Sequence, residues 1–251
     1  MLKSHRWQIG LGLALAVASA ILYLVLYAVH RDISYIRDHV LSNFAFLPVQ
    51  VFIWTLITNG LLGARDRAIR LQKLNMVIGA FFDEVGLALL RRFAAADLGV
   101  EDIRRELIVA AGWPQERFTH VLQRLKGHTY AVAIGQLDLD ELRSFLVARR
   151  GFLLGLLESP SLLEHETFTD LLWAVFHLLA ELENRTEFSA LPRSDTAHLA
   201  QDANRAYGLM VYRWLDHMKH LKANYPYLFS LAMRLNPFDR EASVIVRSSV
   251  V

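Results

Sequence analysis

The residues with the most chemistry in this sequence are two histidine–carboxylate pairs. His177 and Glu181 stand four apart, as do His198 and Asp202, and on a helix that spacing stacks each pair on one face. Antiparallel packing of the two helices would bring the pairs together. Two imidazoles and two carboxylates suit Zn, Mn or Fe, and a helix-bundle interior is where such side chains converge. Glu166 and Asp170, on earlier turns of the first helix, offer a further ligand or an acceptor that orients one. The di-iron pattern Glu-x-x-His is absent. The same four residues can also form a metal-free polar network in which His177 bonds Glu181 and Arg185 or Arg205 pairs with Asp202. That network is the expected arrangement, so no cofactor is assigned. A metal at His177, Glu181, His198 and Asp202 is the alternative.

Other chemistries find less support. Asp216, His217 and His220 crowd one turn beside Lys219 and Lys222, a pattern read as a solvated basic face. The cluster Tyr225-Pro-Tyr-Leu-Phe229, with Trp214 upstream, reads as domain core, with a groove for a partner or lipid as the alternative. The chain has no cysteine, which removes thiolate catalysis, disulfides and zinc–thiolate sites. It has no Gly-x-Ser-x-Gly turn, and Gly60 to Gly63 and Gly151 to Gly155 lack the lysine of a phosphate-binding loop. A net charge of +2 gives no argument for nucleic acid, although Arg91-Arg92, Arg104-Arg105 and Arg149-Arg150 could touch anionic lipid.

The elements that must carry these residues are helical throughout. Apolar residues make up 54% of the chain and mean hydropathy is +0.27. Two long apolar runs concentrate that character near the N-terminus, Trp7 to Val29 and Phe44 to Leu62. Each is near the roughly 20 residues a membrane-crossing helix needs. Lys3 and Arg6 precede the first, Arg65, Arg67, Arg70 and Lys73 follow the second, and the connector His30 to Val40 is balanced by Asp32 and Asp38. The charge bias therefore predicts a hairpin in the inner membrane with both termini in the cytoplasm. Ala18-Ser19-Ala20 imitates a signal-peptidase site, but the apolar run continues past it, so an uncleaved anchor is expected. Gly12, Ala16 and Ala20 form a small-residue stripe suited to close helix packing. Pro48, Gln50, Thr55, Thr58 and Asn59 interrupt the second run and would need partners there.

The expected fold is thus all-α: a two-helix transmembrane hairpin over residues 1–63 (spans about 7–29 and 44–62), a cytoplasmic helical-bundle domain over 64–238, and a flexible tail over 239–251. Leu74, Val77, Ile78, Phe81, Val85 and Leu89 recur at three and four residues, an amphipathic helix continuing from the second run. Further helices are expected at Glu101 to Ala111, Gln115 to Lys126, Asp138 to Glu158 (opened by an Asp138-to-Glu141 capping pattern), Leu162 to Asn184, Ser194 to Asn224 and Tyr227 to Arg234. Tyr130 to Ile134 is the one stretch with doubtful strand character.

Three blocks, Leu71 to Gly86, Ser159 to Leu182 and Asn224 to Phe238, resemble a group of uncharacterised prokaryotic membrane proteins with two N-terminal spans. The resemblance implies the same layout and supplies no catalytic residue. The functional expectation is a membrane-anchored interaction or regulatory module, non-enzymatic. Its expected partners are the bilayer and either a second copy of the chain or a cytoplasmic protein, with no nucleic acid. The alternative is a metal-dependent helical-bundle enzyme at the inner face of the membrane.

Overall fold

In the computed structural model the described residues are 33–159 and 166–245, with a few helical positions between 17 and 28. Their regular secondary structure is helical apart from one isolated bridge, Asp97 with Val132. The chain divides into two units, Met1–Arg67 and Ala68–Val251. We label the helices α1 Ile33–Phe81, α2 Leu87–Ala96, α3 Val100–Leu107, α4 Gln115–Leu125, α5 Leu139–Ala148, α6 Arg150–Leu157, α7 Glu166–Glu183, α8 Arg193–Asn224 and α9 Pro226–Arg234.

The transmembrane hairpin is corrected by this structure. Among the described residues no helix is long and apolar enough to cross a membrane, and the inner-membrane localisation argued from the hairpin falls with it. Helix α1 has length to spare at 49 residues and runs through Pro48. Its apolar stretch is broken by Pro48, Gln50, Thr55, Thr58 and Asn59, and the helix continues into Asp66 and Arg67. The Thr55 hydroxyl donates to the Val51 carbonyl at 2.7 Å, meeting its hydrogen-bond need within the helix. Most of the first apolar run, including Gly12, Ala16 and Ala20, lies outside the described residues.

The second unit is organised around α8. Its buried positions, Leu199, Ala203, Ala206, Met210, Trp214 and Met218 among them, repeat at three and four residues, with Tyr207, Val211 and Leu215 widening the stripe. A stripe that broad requires cover from several directions, and α2, α4, α7 and α9 all pack on α8. The last turns of α1 join this core through Leu74, Ile78 and Phe81. Asn236, 2% exposed, ties down the chain after α9: its amide donates to Leu107 O at 2.8 Å and accepts from Phe238 N at 3.0 Å.

Three local departures from the helical expectation have physical causes. Between α1 and α2 the backbone widens into a π-turn, Phe82–Gly86; a Cβ on Gly86 would lie 2.5 Å from the Phe82 ring, so the turn closes only around glycine. The helix expected over Asp138 to Glu158 is two helices, because Arg149 adopts φ −106°, ψ 4°. Its guanidinium donates to Glu84 O at 2.8 Å and stacks over Phe145 at 3.8 Å. Tyr130 to Ile134 makes only the bridge to Asp97, flanked by Leu98 N to Ala131 O at 3.1 Å and Ala133 N to Ala96 O at 2.8 Å.

Candidate metal centre

Helices α7 and α8 are consecutive and joined by residues 184–192. Arg185, just past the end of α7, reaches Asp195 in the first turn of α8, which makes the pair an antiparallel hairpin. In that register position 177 faces 202 and 181 faces 198. The observed contacts follow it. His177 Nε2 lies 3.4 Å from Asp202 Oδ2, and His198 Nε2 lies 3.7 Å from Glu181 Oε2. The pairs within each helix close the set, His198 Nε2 to Asp202 Oδ2 at 3.4 Å and His177 Nε2 to Glu181 Oε1 at 3.8 Å. One ligand atom from each of the four residues lies within 4.8 Å of the others.

Of the expected polar network the His177–Glu181 contact is present, but the four side chains share one cluster rather than separate pairs. Oδ2 of Asp202 is buried and accepts no hydrogen bond, so Arg205 does not pair with it. Both imidazoles converge on this oxygen with their rings 83° apart. Arg185 serves the outer side of the cluster. It donates to Glu181 Oε2 at 2.7 Å and grips Asp195 with two bonds of 2.9 and 2.6 Å. That hydrogen bond, chiefly, holds the Glu181 carboxyl below its ordinary range, with the nearby imidazoles adding to the effect, and so keeps it anionic. The carboxylate of Asp202 is 5% exposed whereas His177 and His198 are 47% and 48% exposed. The cluster is thus a shallow bowl, closed by Asp202 and open at the two imidazoles. Asp170 is exposed and stands outside the group, and the Glu166 side chain lies outside the described residues.

Two further polar groups escaped the sequence reading. His217, read as part of a solvated basic face, is largely buried. Its ring stacks on Phe82 with centroids 5.7 Å apart, and Nδ1 has no partner. Burial lowers its pKa from 6.5 to about 4, with His220 contributing. The sequence signal available was Gly79 and Phe82, the small and aromatic neighbours that receive the imidazole. The second group is Asp97 with Tyr130 and Tyr207. Asp97 is 5% exposed; its Oδ1 accepts from Gly99 N and Ala131 N at 3.0 and 3.1 Å, while both phenols are buried without partners. Burial raises both phenol pKa values, and Asp97 raises them further.

The described residues are helical, and their second unit carries a His–Glu–Asp cluster between two antiparallel helices. Residues 3–62 match the family model described as "MJ1433, N-terminal helical domain", and residues 70–234 match "Uncharacterized protein MJ1433, C-terminal helical domain". The chain is 38% identical over 244 residues to the uncharacterized protein MJ1433 of Methanocaldococcus jannaschii, covering 97% of this chain and 98% of that one. The chain belongs to the MJ1433 family. No solved structure matches it. The family descriptions name helical domains and no activity, so of the resemblance seen in the sequence they support an uncharacterised helical family, without the two membrane spans.

Proposed function

We propose that this protein is a divalent-cation-binding helical protein whose metal sits between α7 and α8, held by His177, Glu181, His198 and Asp202. The observation that carries the reading is the unpartnered, buried Oδ2 of Asp202 at 3.4 Å from both imidazole nitrogens. Ligand atoms about 2.1 Å from a tetrahedral ion stand about 3.4 Å from each other. A buried carboxylate oxygen with no donor is costly unless a cation satisfies it. Nitrogen and oxygen ligands without thiolate favour Zn, Mn or Fe. Arg185 orients Glu181 from behind, as the outer partners of metal-binding carboxylates do. Four protein ligands complete a tetrahedral shell, the closed arrangement of a structural site rather than the open one of a catalytic site.

Elemental analysis of the purified full-length chain tests the reading. One zinc, manganese or iron per chain is expected, falling to a small fraction in His177→Ala and in Asp202→Asn. Zinc added to metal-stripped protein should raise the unfolding temperature of the parent and not of His177→Ala. His177 is half exposed, so the substitution leaves the core intact. Metal-free protein whose unfolding temperature ignores added zinc, manganese and iron would return the cluster to a polar network.

A further inference from the structure

A cavity of about 540 Å³ opens where the π-turn meets the last turns of α8 and helix α9. It lies some 15 residues along α8 from Asp202, about 22 Å at helical rise, and is separate from the cation cluster. Its volume falls in the range of small-molecule sites. Small residues make the space: Gly79, whose missing Cβ would sit 3.6 Å from His217, with Ala80 and Ala232. Its walls include the rings of Phe82, Trp214, Tyr225 and Tyr227, with Leu228 and Leu231 of α9. Tyr227 is 72% exposed and both leucines are about 40% exposed, so α9 presents apolar surface at the mouth.

The polar groups on this wall set the charge the cavity accepts. Asp83 is its acid, with Glu84 next in sequence adding to the negative potential. Neither lysine nor arginine lines the cavity. His217 and His220, the two imidazoles on the wall, are both held below their ordinary pKa chiefly by burial, so neither brings a positive charge at neutral pH. An anion entering here would meet a carboxylate and no counter-ion, while a protonated amine would meet a carboxylate and the faces of several aromatic rings.

We infer that this cavity binds a small hydrophobic amine, its apolar body against Phe82, Trp214 and Leu231 and its ammonium group at Asp83. The π-turn is the device that builds the site. It places Phe82 and Asp83 consecutively on a widened stretch of backbone, in keeping with the frequent location of such turns at functional sites.

Three probes of one shape and different charge test the inference on the full-length chain: 4-phenylbutylamine, 4-phenylbutan-1-ol and 4-phenylbutyrate. Affinity is measured by calorimetry, and location by the methyl resonances of Met76 and Met218, which both line the cavity. The amine should bind at least tenfold more tightly than the carboxylate, with the alcohol between them, and should shift both methyl signals. Asp83→Asn should bring the amine down to the alcohol's affinity and leave the alcohol unchanged. Ala232→Trp, with helix content preserved, should abolish binding of all three. The inference is overturned if no probe binds, if the carboxylate binds as tightly as the amine, if Asp83→Asn leaves the amine's preference intact, or if the methionine signals do not move.

Discussion

Gly208, in the middle of α8, has the Tyr130 ring against its backbone: a Cβ there would lie 2.9 Å from Cε2. Tyr130 has little freedom to retreat, since its ring meets His128 at 4.7 Å and Tyr207 at 5.0 Å. Alanine would gain up to about 1 kcal/mol of helix propensity over glycine and lose about 1–3 kcal/mol to overpacking. Gly208→Ala should therefore destabilise the protein in denaturant unfolding. Gly155→Ala is the control. Nothing lies within 4 Å of its added methyl, so it should be neutral or stabilising by up to about 1 kcal/mol.

His217 supplies a pH signature. Its folded pKa of about 4 lies below the ordinary 6.5, so between those values the unfolded chain binds more protons. Stability is full above about pH 6.5 and declines as pH falls towards 4, by roughly 3 kcal/mol at full extent. His217→Phe keeps a ring against Phe82 and removes the titration. Unfolding free energies measured across this window should slope less in that variant than in the parent; equal slopes would place the titration elsewhere.

Arg185 should govern acid behaviour at the opposite end of α8. Glu181 and Asp195 are both held below their ordinary values, chiefly by hydrogen bonds from its guanidinium. A depressed carboxyl contributes stability that is present above its unfolded value and lost as pH falls through the folded one. Arg185→Ala should therefore be less stable than the parent at pH 7, with the gap closing as pH falls below about 4. Lysine should rescue little, because one ammonium cannot reproduce the two-bond grip on Asp195.

Asp138 caps α5, its Oδ1 accepting from Glu141 N at 2.8 Å. Glu141 engages Arg92 at 2.6 Å, so the aspartate carries the cap. Asp138→Ala should cost about 1 kcal/mol, and Asp138→Ser should recover most of it. Thermal unfolding of the three proteins checks the order.

Local signals carried most of the helix assignments. The cap at Asp138 is read from adjacent residues and sits where its element begins. The helix expected to Ala111 ends at Leu107. The break at Arg149 depends on Glu84, 65 positions away, which no window of sequence contains. The expected span at Phe44 to Leu62 is interrupted by Pro48, Gln50, Thr58 and Asn59; among the described residues no helix is long and apolar enough to cross a membrane.

By itself the sequence determined the all-α class and the four candidate ligands, because both are matters of short spacing: period 3.6 for an amphipathic face, and four residues for a stacked pair. Only the tertiary structure decided that the two pairs meet. The link over residues 184–192 sets the register that places 177 against 202 and 181 against 198. Tertiary structure likewise decided that the His217 ring packs against Phe82, since a histidine beside lysines on a helix acquires its environment from the element packed over it.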